Sequence, residues 1–254
     1  MTISLPHNLL DDVAALRSLN AYADDADGDA TRIESDICQC DIASIGDTTV
    51  VAFRGTRPDH IDDWFADLSF DLIESQSGPG RIHRGFAQSL ETVYPEIVRD
   101  LDWRDPRRIL VTGHSKGGGE AVQCAGRLQY INGREITLTT FGCPRATDRK
   151  AARWLHEHIP HRRIVHCADV VTRHPRIGAK LQWSIPPSIK LQCCYRHFGS
   201  LIYYDVNGRR YEQPPGIFTW ADRLKARWRH LGKFGTAGIE HHSMPTYLEL
   251  VKST

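Results

Sequence analysis

A short glycine-flanked segment contains the residue types needed for nucleophilic catalysis. Gly113-His114-Ser115-Lys116-Gly117 matches the pattern G-x-S-x-G and directly follows the β-rich run RILVT. In a sharp turn between a strand and a helix, this pattern lifts the serine hydroxyl above the sheet, and the glycines avoid clashes across the turn. The alternative is a phosphate-binding glycine loop, but the segment lacks both the GxGxxG and the GxxxxGK[ST] order. We therefore predict that Ser115 is a nucleophile.

A serine nucleophile needs an acid and a base, which follow it in the order Ser, Asp or Glu, His when it lies on such a turn. Asp169 is the best-placed acid, because it follows the β-rich run RIVH at the carboxyl end of a predicted strand. The base is expected after the acid, in the loop IEHHSMPTYLEL, where one histidine would take the serine proton. The residues alone leave alternatives: Asp148 and Asp205 for the acid, and His230, His241 and His242 for the base.

The third requirement is an oxyanion hole, a set of N–H groups directed at the negative charge that develops during the reaction. One N–H is expected from Lys116, the residue after the nucleophile. The other should come from a turn after an early strand, and VVAF followed by Arg54-Gly55-Thr56 offers such a turn. Thr56 could add its hydroxyl group.

Strands that alternate with helix-length stretches must position these residues. Such alternation predicts an α/β fold with a mostly parallel central sheet flanked by helices, in one domain over residues 1–254. A tight turn at Asn207-Gly208 predicts a late hairpin. The β-rich runs are Thr48–Phe53, Arg108–Thr112, Ile136–Phe141, Arg163–His166, Leu201–Asp205 and Arg209–Glu212, and the main helical stretches are Phe86–Leu101 and Gly118–Tyr130.

Composition excludes several classes of protein. The 254 residues are 41% hydrophobic and 25% charged with a net charge of +1, a mix that favours a globular protein with no nucleic-acid partner. No apolar run approaches the roughly 20 residues of a membrane span. The amino-terminal sequence does not resemble a signal peptide, so we expect a cytoplasmic protein or export by a signal-less route.

Metal and cofactor sites are not expected. Seven cysteines occur without a CxxC pair, so reduced, buried thiols are favoured over disulfides. A zinc site could be assembled from Cys193, Cys194 and His197, or from His156, His158 and His161, but neither set has a second half at ligand spacing.

Basic charge is concentrated in the second part of the chain. Residues 1–100 have 19 acidic and 7 basic side chains, whereas residues 101–254 have 12 and 25. The densest basic stretch lies in residues 214–240, where Trp220, Leu224, Trp228 and Leu231 recur at helical spacing. This pattern predicts a basic amphipathic helix. Its tryptophans either pack in the core or make transient contact with a lipid interface, and the sequence leaves both interpretations open.

Taken together, these motifs resemble the class 3 lipases, the α/β-hydrolases that include the fungal triacylglycerol lipases. The matching pieces are collinear over roughly residues 20–250 and comprise VVAFRGT, DDWFADLSF, IHRGF, VTGHSKGGGEA, TFGCPR, the Asp169 loop and HHSMPTYL. The resemblance implies Thr56 as the oxyanion residue, Ser115 as nucleophile, Asp169 as acid and His242 as base. Lys116 stands where the family usually has leucine, and the HSM-x-x-Tyr context is more similar to bacterial members.

The segment after the oxyanion turn adds a candidate lid over residues 57–80. Its apolar side chains fall at i, i+3, i+4 and i+7, which is one face of a short helix. In lipases of this class such a helix opens at a lipid interface, and the alternative is an ordinary packed surface helix. We assign to the lid and substrate-binding surface Ile61, Trp64, Phe65, Leu68 and His114.

The sequence therefore predicts a serine hydrolase that cleaves lipid esters, a triacylglycerol or monoacylglycerol lipase or esterase, without a cofactor or metal. Phospholipase A-type activity is the alternative within this chemistry. A non-catalytic α/β-hydrolase scaffold that binds a hydrophobic ligand or a partner is the alternative outside it.

Overall fold

A central β-sheet organises the computed structural model, which describes residues 7–26, 28–56, 71–173, 195–229 and 241–253. Its eight strands lie in the order β1-β2-β3-β6-β7-β8-β9-β10, while β4 and β5 form a separate antiparallel pair. The strands are β1 (Thr31–Glu34), β2 (Gln39–Ile45), β3 (Thr48–Phe53), β4 (Leu72–Glu74), β5 (Arg81–His83), β6 (Arg108–His114), β7 (Ile136–Phe141), β8 (His161–His166), β9 (Ser200–Tyr204) and β10 (Arg210–Glu212).

The middle of the sheet is parallel, from β3 through β6, β7 and β8 to β9. The two edges are antiparallel, with β1 and β2 at one side and β10 at the other. Parallel strands need long crossover connections, which helices supply. The predicted α/β-hydrolase architecture, a mostly parallel sheet flanked by helices, is confirmed.

Helices cover both faces of this sheet. They are α1 (His7–Asn20), α2 (Arg84–Glu91), α3 (Tyr94–Arg104), α4 (Lys116–Asn132), α5 (Arg149–His158), α6 (Gly216–Arg229) and α7 (Met244–Lys252). On one face α1 and α7 pack against Val50, Leu110 and Phe141. The opposite face has the larger apolar cluster, which includes Val51 and Val111 and is covered by α2 to α5. Successive residues of each strand point to opposite faces of the sheet, so alternate residues pack against the two helical layers.

The predicted helix over Phe86–Leu101 is instead two helices, α2 and α3. Pro95 lies in the first turn of α3, where a missing N–H costs nothing. In a continuous helix the same ring would clash with the preceding turn, so the chain breaks at Thr92 and Val93.

The candidate lid falls mostly outside the described residues. Residues 57–70, which include Ile61, Trp64, Phe65 and Leu68, belong to that part, and the remainder of the 57–80 segment contains β4. Within the described ranges, no helix is both long and apolar enough to cross a membrane.

Candidate active site

The predicted nucleophile lies in a tight turn between β6 and α4. Ser115 has a φ of 56° and a ψ of −126°, a strained backbone conformation for a residue with a side chain. The flanking glycines are sterically required, because a Cβ at Gly117 would lie 2.5 Å from the carbonyl oxygen of Phe53 and a Cβ at Gly113 would contact that of Gly117. The Ser115 N–H donates to the Phe141 carbonyl at 3.0 Å, which ties the turn to β7.

A buried carboxylate–imidazole pair lies near the carboxyl ends of the parallel strands, as Ser115 does. The Nδ1 of His242 is 2.8 Å from Oδ2 of Asp169, and both residues are 1% exposed. The other carboxylate oxygen accepts the N–H of Val171 at 2.8 Å. Since Nδ1 donates to the carboxylate, Nε2 keeps its lone pair and is free to accept a proton.

The two reactive atoms expected from the sequence are both buried and both unsatisfied. Ser115 Oγ and His242 Nε2 have no hydrogen-bond partner within the described part of the chain. Buried polar groups are normally paired, so two unpaired atoms near the carboxyl ends of the parallel strands indicate a candidate active site. Gly142 fits against the pair, since a Cβ there would lie 2.7 Å from Asp169 Oδ2 and 2.8 Å from His242 Nδ1.

Tyr247 is a further residue of this site that the sequence analysis did not assign. Its hydroxyl donates to Asp169 Oδ2 at 2.6 Å and accepts the N–H of His166 at 3.1 Å. Burial, followed by the charge of Asp169, raises the pKa of Tyr247 well above its ordinary value, so the phenol remains a donor. The signal was present in HSMPTYL, where this tyrosine sits on the first turns of α7.

His114 is placed differently from the expectation that it lines the substrate-binding surface. Its ring is 4% exposed, with Nε2 2.5 Å from the carbonyl oxygen of His242 and Nδ1 2.7 Å from the hydroxyl of Tyr22. A carbonyl only accepts, so Nε2 is protonated and Nδ1 accepts from the tyrosine. Burial, followed by the neighbouring His242, lowers the pKa of His114 well below its ordinary value. His114 therefore holds the main chain of His242 in place through this hydrogen bond to its carbonyl oxygen.

The predicted oxyanion residues flank the nucleophile. Lys116 is the first residue of α4, where backbone N–H groups lack partners within the helix. Its ammonium group turns away to bind Glu120, the Ile37 carbonyl at 2.6 Å and Ser89 Oγ at 3.1 Å.

Thr56 follows the turn at the end of β3 and is partly buried. The turn approaches the nucleophile closely, because a Cβ at Gly55 would lie 3.2 Å from the Cβ of Ser115. The turn that ends in Thr56 therefore lies beside Ser115.

The alternative acids have structural roles. Asp148 caps the start of α5 by accepting the N–H of Ala151 at 2.8 Å. Asp205 accepts the N–H groups of Asn207 and Arg209 in the β9–β10 turn at 2.8 and 2.9 Å. Neither carboxylate bonds to His242, whose described carboxylate partner is Asp169.

The second of the two considered zinc sets, His156, His158 and His161, is not brought together as a group of ligands within the described residues. Cys193, Cys194 and the alternative base His230 lie outside the described residues. His158 bonds to the Trp154 carbonyl, and His161 bonds to Thr140. A different group places three potential ligand atoms within 4.8 Å of one another, namely His166, Cys167 and His241.

With this geometry established, comparison with known proteins identifies the family. The family described as lipase (class 3) matches residues 50–178, just over half of the chain. The chain belongs to the class 3 lipase family. A lipase of Rhizomucor miehei is 33% identical over 138 residues, which are 50% of this chain and 38% of that protein. The triacylglycerol lipase OBL1 of Arabidopsis thaliana is 24% identical over 227 residues, 69% of this chain and 41% of that protein.

The fold of this class 3 lipase chain is also found in solved structures. The triacylglyceride lipase of Rhizomucor miehei superposes with a TM-score of 0.63 at 25% identity, covering 83% of this chain and 84% of that one. The chain spans about two fifths of the length of the curated relatives it matches.

Proposed function

We propose that this chain is a serine hydrolase that cleaves carboxylic esters of lipids. The observation that carries the proposal is the buried Asp169–His242 hydrogen bond. It lies near the carboxyl ends of the parallel strands, where Ser115 occupies a strained turn. The printed names of the relatives, lipase and triacylglycerol lipase, support the same chemistry. A non-catalytic scaffold has no need for a strained serine together with an unpaired imidazole nitrogen.

The mechanism follows from the roles of the three side chains. Nε2 of His242 takes the Ser115 proton as Oγ attacks the ester carbonyl carbon, and the N–H groups of Lys116 and Thr56 stabilise the oxyanion. The imidazolium then gives its proton to the departing alcohol, which leaves an acyl-serine. Water repeats the sequence and releases the fatty acid, while Asp169 keeps the imidazole oriented and stabilises its positive charge.

Triacylglycerol or monoacylglycerol is the proposed substrate class, with phospholipid as the second candidate. The lid belongs to this proposal: residues 57–80 would expose the apolar face of Ile61, Trp64, Phe65 and Leu68 to lipid and so uncover Ser115. One domain over residues 1–254 is the proposed organisation.

Helix α6 supports contact with a lipid interface. Ile217, Trp220 and Trp228 are 74%, 59% and 71% exposed, and with Leu224 they share one helical face. The opposite face is anchored, since Asp222 accepts the Tyr203 hydroxyl at 3.0 Å. The interpretation that these tryptophans are core residues is therefore wrong.

Basic side chains border this apolar stripe of α6. Lys225 and Arg229 are exposed within the same helix. Exposed tryptophans with flanking lysine and arginine are typical of helices that lie on anionic lipid surfaces. We therefore propose that α6 binds the chain to the lipid surface that contains its substrate.

The serine mechanism is tested by hydrolysis of p-nitrophenyl esters of short and long acyl chains. We expect the wild-type chain to turn over and Ser115→Ala to lose about 10³-fold or more in kcat. Ser253→Ala, an exposed serine at the end of α7, is the matched control and should keep full activity. The chain-length profile then separates an esterase from a lipase.

A fluorophosphonate probe separates the enzyme from the scaffold, because only an activated serine reacts with it. Labelling that disappears in Ser115→Ala supports the triad. A folded wild-type chain that is neither active nor labelled would instead support a scaffold that binds a hydrophobic ligand. Transfer of the acyl group to an added alcohol in preference to water would indicate an acyltransferase.

A further inference from the structure

Two histidines and a cysteine outside the triad converge behind the Asp169–His242 pair. His166 is the last residue of β8, Cys167 follows it, and His241 precedes the triad histidine. Nδ1 of His241 lies 3.1 Å from Nδ1 and 3.0 Å from Nε2 of His166, and the centroids of the two rings are 4.0 Å apart. The same His241 nitrogen is 3.7 Å from Sγ of Cys167.

The two separations from His241 are close to those in a tetrahedral zinc site, and the ligand atoms of all three residues lie within 4.8 Å of one another. With Zn–N near 2.05 Å and Zn–S near 2.3 Å, tetrahedral angles put two nitrogen ligands about 3.3 Å apart and nitrogen and sulfur about 3.6 Å apart. Imidazole and thiolate are the ligands that Zn²⁺ prefers, and three protein ligands leave a fourth position for water. We propose that His166, Cys167 and His241 form a Zn²⁺-binding site.

Binding requires a modest chemical change. The Cys167 thiol loses its proton to solvent and binds as thiolate, so one proton is released for each ion bound. The two imidazoles remain neutral, and the N–H that lies between the rings moves to the outer nitrogen of its own ring. No oxidant or further reactant is needed. All three side chains are at most 9% exposed, which favours a structural ion held from within over a surface-bound one.

The location gives the ion a defined role. Cys167 lies two residues before Asp169, and His241 lies one residue before His242, so the ion would cross-link the two loops that present the acid and the base. Neither triad side chain is a ligand, because Asp169 and His242 bond to each other. We infer that Zn²⁺ stabilises the active-site loops without occupying the active site, and this inference is independent of the proposed hydrolase activity.

The test uses the full chain and two metals. Co²⁺ added to the wild-type protein should give a thiolate-to-cobalt charge-transfer absorption band at one equivalent, and Zn²⁺ should displace it. Cys167→Ala should lose the band, and His241→Gln should weaken binding at least tenfold. Zn²⁺ should also raise the unfolding temperature of the wild type but not of Cys167→Ala, since an ion that binds only the folded state stabilises it.

Two control variants make the assignment specific. Cys193→Ala/Cys194→Ala removes the adjacent cysteine pair, and His158→Gln removes an exposed histidine; both should keep the band and the stabilisation. The proposal is overturned if the wild type gives no charge-transfer band, or if the band persists in Cys167→Ala. Loss of ester hydrolysis with an intact cobalt spectrum would instead count against the proposed function alone.

Discussion

His242 is held at two points, through its ring and through its main chain. The ring donates to Asp169, while the carbonyl accepts from His114, whose other nitrogen bonds to Tyr22. Tyr247 donates to the same carboxylate oxygen, Oδ2 of Asp169. The proposed base therefore has a fixed position and a fixed tautomer, with a proton on Nδ1 and a lone pair on Nε2. This is the state that general-base catalysis requires.

Tyr247→Phe tests the support of the carboxylate. It removes a bond to a charged group worth about 1.5 kcal/mol, which corresponds to about a tenfold loss in kcat/KM if it acts on the transition state. We expect the loss in kcat, with KM unchanged, because the tyrosine positions Asp169 and is not expected to touch substrate. Tyr130→Phe, on an exposed tyrosine, is the control. Equal kcat values for Tyr247→Phe and the wild type would contradict the positioning role.

Lys116 forms a partly buried ion pair with the fully buried Glu120 beside the nucleophile. Burial raises the pKa of Glu120, and the ammonium group of Lys116 opposes this rise. We expect Lys116→Met to lower the free energy of unfolding by about 3 kcal/mol, because the carboxylate loses its counter-charge.

In Lys116→Met, the pKa of Glu120 should rise further above its unfolded value, so the loss of stability relative to the wild type should grow as the pH increases. Urea unfolding at pH 5 and pH 8 measures this difference, with the exposed Lys150→Met as control. The double variant Lys116→Met/Glu120→Leu should recover most of the stability. A loss of stability relative to the wild type that is the same at both pH values would exclude this account.

At the scale of elements, strands that are buried on both faces were predictable from the sequence. Thr48–Phe53 and Ile136–Phe141 have the predicted bounds. A strand that helices cover on both faces needs a continuous run of β-branched and apolar residues, and such a run is visible in the sequence. The more polar strands β1 and β2 were not predicted, since they pair at an edge of the sheet. The nucleophile turn was predictable because its requirements are local, whereas the choice of His242 over His241 depends on contacts with Asp169 across 73 positions.

Helix α6 provides a test at the same scale. Trp220→Ser/Trp228→Ser removes the two exposed rings of the apolar stripe, and we expect binding to vesicles containing anionic lipid to fall by at least tenfold in flotation assays. Hydrolysis of a soluble short-chain ester should be unchanged, because neither tryptophan belongs to the proposed triad or oxyanion hole. Trp103→Ser is the matched control, a tryptophan that is 80% exposed on α3. Equal loss of binding in the control would contradict a specific role of α6.

At the scale of the whole molecule, several histidines are buried in the neutral form. Burial lowers the pKa of His83 to about 4 and that of His161 to about 3. In the unfolded chain both titrate near 6.5, so below that pH the unfolded state binds protons that the folded state does not. The folded state is thereby penalised as the pH falls.

We expect the free energy of unfolding to decrease as the pH falls from 6.5 toward 4. Each of these histidines contributes a loss on the order of 2 kcal/mol by pH 4.5. Urea denaturation at a series of pH values measures the slope. His161→Gln should make the slope shallower, whereas His158→Gln, at an exposed histidine, should leave it unchanged. An unaltered slope in His161→Gln would show that other groups cause the acid sensitivity.

The packing of α1 against α7 has a consequence for how the molecule acquires activity during folding. Asn20 and Met244 end and begin these helices 224 positions apart, and closing so long a loop delays folding relative to local contacts. The residues of the serine turn are neighbours in the chain, whereas His242 directly precedes α7 near its end. The contact between α1 and α7 therefore helps to place the proposed base, and in refolding experiments we expect ester hydrolysis to return no earlier than this contact forms.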